Sequence, residues 1–235
     1  MLLKDKAALI TGGGRGIGKA IALAYAREGA RIAICARTVP EVEEAIREVR
    51  SLGAECLGFQ CDVSSEESVK RLLENVEEKF DRLDVLINNA GVMNRPVPMV
   101  ELPVEKWDYV IAVNLRGSFL VTRAVLPRMM RQRSGSIINL SSSIGRGAYA
   151  NYGAYAVSKW GIEGFTQTLA AEMKSYNIRV NSVSPGYVAT KMTGYAGSRP
   201  ESVTEVFLYL ASDESKTVTG KMLGASDWKS QGKGR

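Results

Sequence analysis

A chain of 235 residues with 45% hydrophobic and 24% charged side chains has the balance of an ordinary globular protein, which excludes a disordered or fibrous one. Its formal charge of +6 is scattered, with Lys and Arg interleaved with Asp and Glu along helical stretches, so neither a nucleic-acid partner nor a basic interaction tail is indicated. Histidine is absent, which removes the usual general base of hydrolases and the commonest metal ligand, so acid/base work falls to Tyr, Lys, Asp, Glu or Cys and no metal site is predicted.

Cys35, Cys56 and Cys61 make neither a metal-ligand spacing nor an even disulfide set, as expected of a reduced, cytoplasmic chain. The apolar run in Met1 to Gly13 is too short for a signal peptide, and no stretch reads as long enough to span a bilayer. In chain order, strands are predicted at Ala7 to Thr11, Arg31 to Ala36, Glu55 to Cys61, Val85 to Asn88, Ser136 to Ser141, Arg179 to Val183 and Lys221 to Gly224. Helices are predicted between them at Gly18 to Glu28, Glu41 to Ser51, Ser65 to Phe80, Val104 to Arg131, Ala154 to Tyr176 and Ser202 to Ala211. Ser64 before Glu66 and Glu67, and Pro200 before Glu201, mark two helix starts. The alternation predicts a doubly wound, Rossmann-type α/β fold: one parallel sheet of about seven strands with helices on both faces, in a single domain over residues 1–235. The Gly/Ser-rich tail 229–235 reads as frayed and flexible.

The first strand runs directly into Thr11-Gly12-Gly13-Gly14-Arg15-Gly16-Ile17-Gly18. These glycines let a backbone approach a pyrophosphate at a helix N-terminus, so Gly12, Arg15, Gly16, Ile17 and Gly18 are candidate dinucleotide contacts. The spacing is T-G-x-x-x-G-x-G and not G-x-G-x-x-G. At the end of the second strand Ala36 stands where an NAD-binding chain places a carboxylate for the ribose 2′-hydroxyl. With Arg37 beside it and Arg15 in the turn, a 2′-phosphate is favoured, and with it NADP(H) over NAD(H). Either arginine alone reads equally well as a surface residue. Tyr155 and Lys159, four residues apart at a helix start, share a face, and a cation there is expected to lower the phenol pKa toward that of a working acid/base. Tyr149 and Tyr152 lack a lysine four residues on and read as cleft lining or packing; Asn181 reads as a structural amide.

Taken together, the turn at Thr11, Gly12, Gly16 and Gly18, Asp62-Val63, Asn88-Asn89-Ala90-Gly91, Asn114, the serine run 141–143, Tyr155 with Lys159, and Pro185-Gly186 followed by Thr190 resemble the short-chain dehydrogenase/reductase family along nearly the whole chain. In wording the motifs most resemble its 3-oxoacyl-[acyl-carrier-protein] reductase branch. The resemblance implies that Ser142, thirteen residues before the tyrosine, hydrogen-bonds the substrate carbonyl, with Gly145 supporting the register. It implies that Tyr155 donates the proton, Lys159 holds the nicotinamide ribose and lowers the tyrosine pKa, and Asn114 keeps a water in a proton relay. Asp62 and Val63 would meet the adenine, Asn88, Ala90 and Gly91 the adjacent ribose, and Val188 and Thr190, after Pro185 and Gly186, the carboxamide.

Two departures stand out. The family's helical lid over the substrate is cut to Tyr187 to Ser198, which predicts an open site, and the usual terminal Asp-Gly-Gly is replaced by Ser226-Asp227-Trp228. A homodimer through the Val104 and Ala154 helices, or the tetramer typical of the family, is expected. Arg128, Arg131 and Arg133 read either as a basic edge near the cleft for an acidic carrier or, at least as well, as a solvated helix end, and Tyr176-Asn177 lacks the second basic position used by some carrier-dependent members. The expected function is an NADP(H)-dependent oxidoreductase of a carbonyl or alcohol, such as a 3-oxoacyl thioester. The alternatives are a dehydrogenase of a small ketone, alcohol or sugar-like compound and, from another class, a non-catalytic nucleotide-binding regulator.

Overall fold

The computed structural model describes residues 1–147 and 149–231. Seven strands, β1 (Ala7–Thr11), β2 (Arg31–Ala36), β3 (Cys56–Gln60), β4 (Val85–Asn88), β5 (Gly135–Leu140), β6 (Ile178–Ser184) and β7 (Met222–Gly224), form one sheet in the order β3-β2-β1-β4-β5-β6-β7. Every pairing is parallel. Because β1 neighbours both β2 and β4, the chain reverses its winding there, and a crevice opens beyond the carboxyl ends of these strands.

The strands are apolar throughout because both faces are covered. Ala8 and Ile10 of β1 enter the core beneath α1 (Gly16–Arg27), α2 (Val39–Ser51) and α7 (Thr204–Ala211), while Ala7 and Leu9 enter the core beneath α3 (Glu66–Lys79), α5 (Gly117–Gln132) and α6 (Gly153–Met173). All three cysteines are free and buried.

Several boundaries move for local reasons. The cap of α3 is Ser65, whose hydroxyl accepts from the Ser68 N–H, and not Ser64, whose N–H and hydroxyl both donate to Asp62. The helix predicted at Val104 to Arg131 is α4 (Val104–Ile111) and α5 joined by a π-helical turn, Ala112–Arg116, with Asn114 at its centre. Contrary to expectation, this continuous run, Val104–Gln132, is long and apolar enough by composition to cross a membrane. Its apolar stripe of Leu120, Val121, Val125 and Met129 is instead buried against the sheet, so it is a core helix.

The altered C-terminus is docked over part of the segment predicted to fray. Trp228–Gln231 forms a helical turn, α8, in which the Trp228 ring packs on Tyr209 at 4.7 Å between centroids and Lys229 pairs with Glu205 at 2.9 Å. The rest of that predicted tail, 232–235, lies outside the described residues.

Candidate active site

The crevice is a cleft of about 420 Å³. At one end the β1–α1 turn forms its floor. Gly12 and Gly16 hold φ of +64° and +54°, which favour glycine. A side chain on Gly12 would meet the Asn89 amide at 2.8 Å, and one on Gly16 would meet Thr190 at 3.3 Å. Arg15, at the N-cap of α1, makes no side-chain cap, and the first turn carries no acid, so the helix end presents uncapped N–H groups to the cleft. A glycine cradle under an uncapped helix end fits a dinucleotide pyrophosphate.

Of the predicted site residues, the cleft is lined by Gly12, Arg15, Gly16, Ile17, Arg37, Asp62, Val63, Ala90, Gly91, Ser142, Tyr155, Lys159, Pro185, Gly186, Val188 and Thr190. Three others stand behind it. Gly18 is buried where a Cβ would lie 2.3 Å from the Gly12 carbonyl oxygen, so it lets the helix start pack on the turn. Asn88, expected at the ribose, turns its side chain into the sheet core and donates to Thr122 Oγ1 and Asn139 Oδ1, each at 2.8 Å. Its neighbour Asn89 lines the cleft instead, and its Nδ2 ties down the turn through the carbonyls of Thr11 at 2.8 Å and Gly12 at 3.1 Å. Asn114, expected to hold a water, has its amide engaged elsewhere: Oδ1 accepts from the Val92 N–H at 2.8 Å, and Nδ2 donates to the Val92 carbonyl at 2.9 Å and to Ser158 Oγ at 3.0 Å. Ser158 in turn donates to the Tyr155 carbonyl at 2.7 Å, so Asn114 anchors the first turn of α6.

The other end of the cleft carries Ser142, Tyr155 and Lys159. Ser142 follows β5, and Gly145, in the 3-10 turn beyond it, allows that turn to press on α6: a Cβ there would lie 3.0 Å from the Lys159 carbonyl oxygen. Burial raises the Tyr155 phenol above its ordinary range, and its hydrogen bond with Ser142 acts in the opposite direction. The expected lowering by Lys159 is not found. The ammonium lies 5.6 Å from the Tyr155 ring centre and donates instead to the Leu140 carbonyl at 2.6 Å. Lys159 is itself pulled down to about 8 by burial, opposed by the charge of Glu163 one turn on. Glu163 is buried and accepts from Ser182 Oγ at 2.5 Å.

At the adenosine end, burial raises the Asp62 carboxyl, but its bonds from the Ser64 hydroxyl and N–H, with the Arg37 charge, hold it below its usual range. Asn181 is a structural amide, donating to the Val218 carbonyl at 2.9 Å and accepting from the Lys221 N–H at 3.0 Å. Tyr152 lines the cleft, whereas Tyr149 is exposed and is not among the lining residues.

The segment 187–198 closes on itself. Ser198 donates its N–H to the Tyr187 carbonyl at 2.9 Å, its carbonyl accepts from Ala189 at 2.8 Å, and Gly197 at φ +116° lets the backbones touch. Arg128 donates to Phe80 at the far end of α5 and Arg133 to Ser175, so the expected basic edge stands at the opposite end of the sheet from this subunit's cleft. Met93, Ile144 and Met192, which no sequence motif marks, add apolar lining to the cleft, and Met93 and Ile144 pack against the cluster that holds Tyr155.

This geometry agrees with the relatives of the chain. Residues 6–201 match the family model described as short chain dehydrogenase. The chain belongs to that family. It is an oxidoreductase acting between C=O and CH–OH. The 3-oxoacyl-[acyl-carrier-protein] reductase of Thermotoga maritima is 41% identical over 243 aligned positions, covering 95% of this chain and 97% of the relative. Among solved structures, levodione reductase superposes with a TM-score of 0.91 at 29% identity, over 94% of this chain and 96% of that one. An NAD+-bound xylitol dehydrogenase gives 0.91 at 31%, over 95% and 98%.

Proposed function

We propose that this short-chain dehydrogenase is an NADP(H)-dependent reductase of a 3-oxoacyl thioester. The observation that carries the chemistry is the meeting of Ser142, Tyr155 and Lys159 at one end of a cleft whose other end is the glycine cradle.

When bound, a nicotinamide cofactor supplies the hydride. Gly12, Gly16 and Ile17 hold its phosphates, and Arg37, with Arg15 in the turn beside it, faces the 2′-phosphate. Asp62 and Val63 meet the adenine, and Ala90 and Gly91 the adjacent ribose. Lys159 and Tyr155 hold the nicotinamide ribose, and Pro185, Gly186, Val188 and Thr190 the carboxamide. Ser142 donates a hydrogen bond to the substrate carbonyl, and Tyr155 gives its proton to the oxygen as charge develops there. A phenol kept protonated by burial is a donor across neutral pH, which suits reduction. Asn114 acts as a positioning residue by tying α6 to Val92.

The substrate reading rests on the similarity to the Thermotoga maritima reductase and on a cleft whose apolar lining and short 187–198 segment admit an acyl chain. The distant location of Arg128, Arg131 and Arg133 favours a second reading, in which a small hydrophobic ketone is the substrate. Steady-state assays with a 3-oxoacyl carrier thioester and with small ketones separate them: the first reading expects a higher kcat/KM on the thioester, and activity on small ketones alone would remove it. We also read the chain as a cytoplasmic homo-oligomer, paired through the exposed apolar side chains Val104 on α4, Phe119 on α5, and Val157 and Trp160 on α6.

The pH profile follows from the two titrating groups. Tyr155, raised by burial, stays protonated well into alkaline pH, whereas Lys159 loses its charge as pH rises through about 8. The kcat/KM for reduction is therefore expected to be level below pH 8 and to fall above it. Glu163→Gln, which removes the charge that raises the lysine, should move the fall to lower pH. A profile flat to the tyrosine range would contradict this assignment.

A further inference from the structure

The acid missing from the end of β2 is present at the same cleft mouth by another route. Glu41, in the first turn of α2, lines the cleft and pairs with Arg15 at 2.7 Å between Oε1 and Nη1. The two elements are pressed together, because a Cβ on Gly14 would lie 3.1 Å from Glu41 Cβ and 3.2 Å from its carbonyl carbon. Arg37 differs. Its Nη1 donates to the Tyr109 hydroxyl at 2.5 Å, so it can turn to an anion without breaking an ion pair. Of the two arginines at the adenosine end, Arg15 is held in an ion pair by a carboxylate, whereas Arg37 acts on the Asp62 carboxylate through its charge alone.

We infer that Glu41 is a specificity-determining residue for the cofactor: by holding Arg15 it withholds that guanidinium from a 2′-phosphate and narrows the preference for NADPH over NADH. This rests on reading the cleft as a dinucleotide site. A partly exposed ion pair is individually weak, but a 2′-phosphate must break it before it can take the Arg15 guanidinium.

Calorimetric titration with NADPH, NADH, adenosine 2′,5′-bisphosphate and 5′-AMP tests the inference without turnover. Glu41→Gln should tighten NADPH and the 2′,5′-bisphosphate about fivefold, the upper order expected for releasing such a pair, and leave NADH and 5′-AMP within about twofold. The gain should vanish in an Arg15→Ala background. No gain, a gain that persists without Arg15, or a comparable loss of NADH affinity would each overturn the role. If the wild type prefers NADH and the variant gains NADPH, the inference stands and the NADP preference proposed above falls. If the wild type prefers NADPH and the variant gains nothing, the reverse holds.

Discussion

Tyr155→Phe is expected to lower kcat for carbonyl reduction by about 10³-fold, within the 10²–10⁴ contributed by a positioned general acid. The substitution removes one hydroxyl and keeps the ring, which is almost wholly buried in the α4–α6 cluster with Val110 and Ala154, so the fold should be retained. The hydroxyl is the hydrogen-bond partner of Ser142 and the only proton-bearing atom of the tyrosine side chain that the cleft can use. NADPH affinity should fall less than about tenfold, the value of a single hydrogen bond. Pre-steady-state turnover beside equilibrium titration separates the two effects. A variant that keeps more than a tenth of wild-type turnover would transfer the proton donation to another group.

Gly18→Ala is expected to disable the cofactor end of the same cleft. The added carbon would sit 2.3 Å from the Gly12 carbonyl oxygen, in the turn that forms the cradle, and 2.5 Å from Asn89 Nδ2, which ties that turn down. Relief requires the turn to move, at an overpacking cost of about 1–3 kcal/mol. The expected result is a lower melting temperature and a loss of NADPH affinity of about tenfold or more, the displacement of the cradle adding to that cost. Gly164→Ala is the control: Gly164 lies in α6 with nothing within 4 Å of its would-be Cβ, so helix propensity alone should raise stability by up to about 1 kcal/mol. Equal behaviour of the two variants would contradict the packing role of Gly18.

The strands that the sequence located best are those buried on both faces, where unbroken apolar runs such as Ala7 to Thr11 and Arg31 to Ala36 leave no alternative register. The helix at Val104 was legible as one apolar run, but its π turn was not, since a turn widened by one residue keeps the same composition. Asn88 and Asn89 show the limit at the site. Two identical side chains at the end of β4 face opposite ways, and which one reaches the cleft depends on where the strand ends. Tyr155 and Lys159 were visible as a spacing, yet the direction of the tyrosine pKa depends on its burial, which outweighs the bond with Ser142, and the spacing does not show that the lysine donates to the Leu140 carbonyl. The Arg15–Glu41 pair was beyond reach, because only the packing of α2 on the glycine turn brings residues 26 apart in sequence together.

The proton chemistry at Tyr155 has meaning only if the chain turns over its cofactor. The most direct measurement is NADPH consumption by the unmodified protein across a panel of carbonyl compounds that includes a 3-oxoacyl carrier thioester, with the alcohol product quantified alongside. The account predicts one alcohol formed for each NADPH consumed. NADPH that binds but is not consumed with any compound in the panel would contradict it and leave a nucleotide-binding regulator that kept the fold without the reaction.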